Sequence, residues 1–175
     1  GLTFDADGRM YVVEMGDYPT RPEGSPPLGR VKLLVDQDLD GYYETWTLFA
    51  DGLQYPTSVL PWRDGVLVTQ PPDILYLRDD DDDGVADTRE VLFAGFPVGN
   101  TQHNINGLTW GLDNWVYAAN GGNHGEGYPV GAPEDAVSIR GMDFRFRPGT
   151  GDLETSYESA GGHGIAFDGW GRMFG

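Results

Sequence analysis

The 175-residue chain contains no cysteine, which excludes disulfide bonds, thiolate nucleophiles and cysteine-bound zinc or haem within this sequence. It also lacks an apolar run near the roughly 18 residues that a membrane-spanning helix needs. No basic segment followed by an apolar one opens it, so no targeting leader is visible. Both ends lie inside periodic segments, and we therefore expect a piece of a longer protein.

Positive charge is scarce, because 11 Lys and Arg stand against 28 Asp and Glu and give a net charge of −17 at pH 7. Such a surface repels phosphate backbones and anionic lipid, so we expect no nucleic-acid partner and no membrane insertion by this segment. The 27 glycines and 12 prolines argue against a helical bundle or coiled coil. Eight Phe, nine Tyr and five Trp can form a core and argue against disorder.

A repeated pattern starts at residues 1, 58, 107 and 164. The clear copies read GLTFDADGRMYVVEM, GLTWGLDNWVYAANG and GIAFDGWGRMFG, and SVLPWRDGVLVTQ is a weaker one. Short apolar runs separated by Asp-Gly or Asn-rich turns predict β-hairpins. A second predicted hairpin follows each of the first three copies. Four strands in a unit of roughly 50 residues are typical of a β-propeller blade.

The predicted fold class is therefore all-β, a β-propeller with about three blades and the start of a fourth. The predicted blades span about 1–57, 58–106, 107–163 and the incomplete 164–175, with innermost strands at 2–5, 58–62, 107–111 and 164–168. A propeller closes with about four to eight blades, so this segment would be an arc of a larger one. The alternative is a sandwich of short strands, which would need no such period.

Two acidic loops, DQDLDGYYE at 36–44 and DDDDDGVAD at 79–87, align without a gap. Carboxylates at alternate positions before a glycine can wrap hard oxygen ligands around a Ca²⁺ ion. Strand-like flanks argue against an EF-hand, so we interpret both as calcium-binding turns between the outer strands of two blades. The predicted ligands are Asp36, Asp38, Asp40 and Glu44 in the first loop and Asp79, Asp81, Asp83 and Asp87 in the second. The alternative is a pair of solvated acidic turns.

A polar cluster, NTQHNING at 100–107, comes directly before the predicted innermost strand of the third blade. Loops at this place surround the channel of a propeller, where ligands bind. His103 can accept a proton near neutral pH and is the candidate catalytic base. Further candidate binding residues are Gln102, Asn104, Asn106, Asn120, Arg140 and His163. The alternative for each histidine is a turn residue that bonds the backbone.

His103, Leu108, WGLDNWVY at 110–117 and the Asn-Gly pair at 120–121 resemble the motif of soluble quinoprotein glucose and sorbosone dehydrogenases. That resemblance implies a six-bladed propeller, oxidation of a sugar with pyrroloquinoline quinone, and a general-base role for His103. The Arg-Asn pair that holds the quinone in that family is absent from the corresponding stretch, residues 159–164.

Longer segments, such as SIRGMDFRFRPGTG, are similar to sequences of the membrane-bound dehydrogenase family, also called PVC-type haem-binding CxxCH proteins. Its members are exported and often carry a c-type haem domain after the propeller. No CxxCH motif occurs in this sequence, so such a domain would lie outside it. The resemblance therefore implies a periplasmic or otherwise extracytoplasmic dehydrogenase acting on a sugar or related alcohol. The competing hypothesis is a non-catalytic, calcium-stabilised propeller that binds carbohydrate or protein.

Overall fold

The computed structural model describes residues 1–159 and 162–175. They form two compact units, one made of Gly1–Gln70 and Leu75–Glu90, the other of Pro71–Ile74 and Val91–Gly175. Apart from two short 3-10 turns, the regular elements in these residues are all β-strands. No helix within the described ranges has the length and apolar character needed to cross a membrane.

The first sheet lies in the first unit and has four antiparallel strands in chain order. They are β1 (Leu2–Phe4), β2 (Met10–Glu14), β3 (Gly29–Val35) and β4 (Thr45–Leu53). Alternate side chains of the middle strands are buried, for example Tyr11 and Val13 on β2 and Val31 and Leu33 on β3. They pack into one cluster with Phe49 of β4. The period-2 pattern of the sequence thus becomes one apolar face of a sheet.

A second sheet begins with four strands that also follow chain order. They are β5 (Ser58–Trp62), β6 (Gly65–Gln70), β7 (Asp73–Arg78) and β8 (Thr88–Ala94). The β5–β6 hairpin pairs Ser58 with Thr69 and Trp62 with Gly65. Within the first unit, β1 lies next to β5, as the predicted innermost strands of neighbouring blades should.

The third copy of the repeat forms β9 (Asn106–Trp110) and β10 (Val116–Ala119) in the second unit. The chain then leaves this sheet and forms β11 (Glu126–Pro129) and β12 (Val137–Ser138). β11 pairs with the end of β8, with Tyr128 opposite Ala94, and β12 pairs with β11. This covering of the β8 edge was not predicted from the sequence; it protects a strand edge that would otherwise stay unpaired there.

The outer hairpin of the third sheet consists of β13 (Met142–Arg147) and β14 (Asp152–Glu158), and the sheet order is β14-β13-β10-β9. Phe144 and Phe146 of β13 are fully buried. Their rings contact those of Phe96 and Phe93, at 4.9 Å between centroids in each pair. A last hairpin pairs β15 (Ala166–Phe167) with β16 (Met173–Phe174).

The prediction of an all-β, propeller-like fold is confirmed, because the predicted pairs of hairpins form successive antiparallel sheets, two of four strands and one of six that includes β11 and β12. In the second unit, β9 lies beside the fourth copy of the repeat: the Thr109 hydroxyl donates to the Ile165 carbonyl at 2.8 Å. A side chain at Gly107, whose φ is +69°, would come within 2.6 Å of the Gly164 Cα. The limits of the predicted blades and the number of blades stay predictions.

Candidate functional site

A short 3-10 turn, Thr101–His103, presents the candidate base at the start of β9. The Asn100 side chain caps it by accepting the Gln102 N–H at 3.1 Å, and the His103 N–H donates to the Asn100 carbonyl at 2.8 Å. Asparagine is a strong capping residue because its side-chain oxygen satisfies a backbone donor that the turn leaves open. His103 is half-buried.

The His103 ring is held from one side. Its Nδ1 lies 2.8 Å from the Gly121 carbonyl oxygen, and a carbonyl can only accept, so Nδ1 carries the proton. The neutral ring then has its free lone pair on Nε2. The Asn123 amide holds the same loop by donating to the His103 carbonyl. Residue 121 must be glycine, because its φ is +72° and a Cβ would collide with the His103 carbonyl oxygen.

A second histidine lies close to the first. The centroids of the His103 and His163 rings are 6.2 Å apart, with 37° between the ring planes. Asn106 ties the two loops together, because its Nδ2 donates to the Asn104 carbonyl at 2.9 Å and its Oδ1 accepts the Gly164 N–H at 2.7 Å. The structure thus brings together three of the predicted site residues.

Asn104 is unusual among the polar residues of this loop. Its side chain is buried, with the residue 2% exposed, yet neither amide atom has a hydrogen-bond partner within residues 1–159 and 162–175. An unpaired buried amide costs about 1–3 kcal/mol, and such a group in a folded protein needs an explanation. A polar ligand or bound water at this loop would supply one.

The Asn120 side chain, unlike that of Asn104, is fully hydrogen-bonded. It is fully buried and its side chain is saturated by the backbone: Nδ2 donates to the carbonyls of Ile139 and Met142, and Oδ1 accepts the Gly122 N–H. Its own N–H donates to the Asp143 carboxylate at 2.9 Å. In this arrangement Asn120 braces the loop after β10.

The remaining candidates lie at the surface. Gln102 and Arg140 are exposed, and so is His124, the third of the three histidines. No hydrogen bond or ring contact joins Arg140 or His124 to the His103 ring in the part of the chain that the structure describes.

The two acidic loops fold along the same path. The fourth residue of each is left-handed, with φ of 62° at Leu39 and 63° at Asp82, and the sixth is a glycine with positive φ. In each loop the first aspartate accepts the N–H of that glycine, at 2.8 Å for Asp36 and 2.7 Å for Asp79. The gapless alignment of the sequences therefore reflects one backbone conformation.

The carboxylates converge in both loops. Oxygens of Asp36, Asp38, Asp40 and Glu44 lie within 4.8 Å of one another in the first, as do those of Asp79, Asp81 and Asp87 in the second. That spacing suits oxygen ligands around one Ca²⁺ ion, although exposed acidic groups are common without a metal. The group in the second loop does not include Asp83, whose Oδ1 accepts the Val85 N–H at 2.8 Å.

Repulsion is already visible in the second loop. The neighbouring charges of Asp83 and then Asp87 raise the pKa of the Asp81 carboxyl above its usual value. The pKa of Asp80 is lowered instead, because Arg78 and Thr88 donate hydrogen bonds to its carboxylate. A cation bound among the carboxylates would relieve the repulsion at Asp81.

The residues that contact His103 do not include the cations expected to hold a quinone. These contacts come from Asn100, Gly121, Asn123 and His163, none of which is a lysine or arginine, whereas the carboxylates of pyrroloquinoline quinone call for cations. The stretch that lacks the Arg-Asn pair includes residues 160 and 161, which lie outside the described residues.

A family model matches residues 1–175, and its description is Domain of unknown function (DUF7133). The chain belongs to this family. A comparison with curated proteins finds no match. The match to the DUF7133 family covers the whole chain, and the description of the family names no activity.

The sequence indicated His103 and the polar loop after β10, but not which contacts hold the histidine. Gly121 and Asn123 position the imidazole and its loop, and Gly164 anchors the loop of His163 through Asn106. The glycine-rich segment NGGNHG after β10 indicates that its backbone packs closely against a neighbouring segment. Which carbonyl the histidine contacts depends on packing between loops 18 residues apart.

Proposed function

We propose that this protein is an extracytoplasmic β-propeller dehydrogenase that oxidises a hydroxyl group of a sugar or related alcohol, with His103 as general base. One observation carries the proposal: Nδ1 of His103 is 2.8 Å from the Gly121 carbonyl oxygen. This contact commits the ring proton to Nδ1 and leaves Nε2 as a proton acceptor in a fixed orientation.

The chemistry follows from that tautomer. Nε2 accepts the proton of the substrate hydroxyl, while a hydride leaves the carbon that bears the hydroxyl for a two-electron acceptor. The base must lie within about 3 Å of the substrate oxygen when the proton moves. Asn104, the residue after the base, offers an amide donor and an amide acceptor that have no partner among the described residues. Both amide atoms are buried, so the partner they can take is a water bound within the loop rather than the substrate itself.

The resemblance to quinoprotein and PVC-type dehydrogenases supports the rest of the proposal. It favours a quinone-type acceptor, a c-type haem domain outside this segment and a periplasmic location. The described residues around His103 neither supply these features nor depend on them.

We also propose that the two acidic loops bind Ca²⁺. The support is that two separate loops share one backbone path and each gathers at least three carboxylates. Such sites rigidify loops of mutually repelling side chains, and a structural role is the one we assign.

The test of the proposed function is sugar-dependent dye reduction by the purified full-length protein in the presence of Ca²⁺. A panel of sugars and alcohols is offered with an artificial electron acceptor, with and without added quinone. We expect reduction that saturates with at least one polyhydroxylated substrate. Saturable carbohydrate binding in calorimetry, together with no dye reduction under any of these conditions, would instead establish the non-catalytic binding module.

A further inference from the structure

We propose that His103 and His163 together form a binding site for a borderline transition-metal ion such as Zn²⁺ or Cu²⁺. The observation is their juxtaposition: two imidazole rings from loops 60 positions apart in sequence lie with centroids 6.2 Å from each other. Imidazole nitrogen is a preferred ligand for these ions and a poor one for Ca²⁺. The site therefore differs in chemistry from the two acidic loops.

The separation of the rings is close to that of two rings on a shared ion. Zinc binds histidine nitrogen at about 2.0–2.1 Å in tetrahedral geometry, which places the centroids of two ligating rings about 5 Å apart. The observed separation is 6.2 Å, so one ring must move by about 1 Å to share a tetrahedral ion. His163 is exposed, so its ring can rotate toward the ion without disturbing the core.

His103 also has the support that metal-binding histidines have. A ligating imidazole usually donates its other N–H to a carbonyl or carboxylate, which fixes the ring and its tautomer. The Gly121 carbonyl oxygen lies 2.8 Å from Nδ1 and fills that role. The loops of the two histidines are joined through Asn106, which contacts the Asn104 carbonyl and the Gly164 N–H. The His103 ring is thus held, and the two loops are joined, before an ion arrives.

Two protein ligands leave open coordination positions. Among the described residues, the groups of three or more potential ligands are the two acidic loops, so water or a bound molecule would complete this site. Such an arrangement predicts affinity weaker than that of a closed four-ligand zinc site. An ion bound to Nε2 would occupy the lone pair that the proposed base needs, so Zn²⁺ should inhibit the dehydrogenase; this consequence alone rests on the proposed function.

Zn²⁺ titration calorimetry of the whole chain tests the site, with saturating Ca²⁺ present to fill the acidic loops. Cu²⁺ electron paramagnetic resonance provides a second, spectroscopic measurement. We expect one Zn²⁺ per chain and Cu²⁺ hyperfine structure from two nitrogen ligands. His163→Ala should weaken binding by at least about tenfold, and because residue 163 is exposed this variant should keep its fold. His103→Ala should weaken binding similarly.

His124→Ala is the matched control, because His124 is exposed and makes no hydrogen bond or ring contact with the His103 ring within residues 1–159 and 162–175. It should bind Zn²⁺ like the wild type. Absence of Zn²⁺ binding under saturating Ca²⁺, or binding that His163→Ala leaves unchanged, would overturn the proposal. Zn²⁺ binding without inhibition of dye reduction would instead contradict the role of His103 as base and leave the metal site standing.

Discussion

Asn104 and Asn120 differ in the partners of their buried amides. Asn120 is fully buried and bonds three backbone groups through its side chain. Asn104 is buried to a similar degree and bonds none within the described residues. Removing a paired buried group leaves its partners unsatisfied, whereas removing an unpaired one removes only a cost. The two residues should therefore respond oppositely to replacement.

We predict that Asn104→Leu leaves the free energy of unfolding unchanged or raises it by about 1 kcal/mol, because leucine has a similar size and no polar atoms to desolvate. Asn120→Leu should lower it by about 3 kcal/mol or more, since each stranded backbone group costs about 1–3 kcal/mol. Urea unfolding of the wild type and the two variants measures both effects. Equal destabilisation by the two substitutions would show that Asn104 is paired after all.

At the scale of single residues, the sequence predicted part of the candidate site. A histidine surrounded by amides before an innermost strand indicated a polar site, and the structure brings His103, Asn106 and His163 together. Residue types alone could not distinguish Asn104 from Asn120, because that difference depends on which backbone groups reach each amide. Contacts between distant loops decide it.

The acidic loops are the clearest feature at the scale of single elements. Their shared aspartate spacing predicted a shared shape, and both loops have the same left-handed positions. Local hydrogen bonds explain why this prediction was possible, because the first aspartate of each loop bonds backbone N–H groups within five residues. Sequence predicts such local structure well.

The strand pairing of β11 could not be predicted in the same way. Glu126–Pro129 has neither a period-2 apolar pattern nor a hairpin turn that leads to its partner. It pairs with β8, more than 30 residues earlier in the chain. An edge that happens to be open, rather than the sequence of β11, selects this pairing.

We predict that Asp81→Asn raises the melting temperature in chelator and reduces the further rise that Ca²⁺ produces. In chelator the variant should melt at a higher temperature than the wild type. The charges of Asp83 and Asp87 raise the pKa of Asp81, and asparagine removes the charge that they repel. Saturating Ca²⁺ should raise the melting temperature of the variant less than that of the wild type, because one proposed ligand has lost its charge. Differential scanning calorimetry in both buffers measures these changes.

The control for this prediction is Asp82→Asn, which removes the same charge from the same loop. Asp82 is not among the converging carboxylates, and asparagine tolerates its left-handed φ of 63°. It should keep the full calcium-dependent rise, whereas Asp38→Ala combined with Asp81→Ala should abolish it. A melting curve of the wild type that is the same in Ca²⁺ and in chelator would leave two solvated acidic turns.

On the scale of the whole molecule, fold and function differ in how far the sequence predicts them. The repeat of roughly 50 residues predicted the sheets because each propeller-like blade is built from short-range hairpins, which obey local rules. The proposed activity instead depends on one imidazole whose protonation pattern is set by the carbonyl of Gly121. Fold does not imply function, so the activity must be tested at that residue.

The most direct test is the turnover number of His103→Ala in the full-length protein, compared with His124→Ala under the same dye-reduction conditions. We predict that His103→Ala lowers the turnover number by about 10²–10⁴-fold, with the melting temperature and the calcium-dependent rise retained. His124→Ala should stay close to the wild type, because its exposed ring has no place in the proton transfer. Equal losses in the two variants, or a His103→Ala protein with wild-type turnover, would contradict the account.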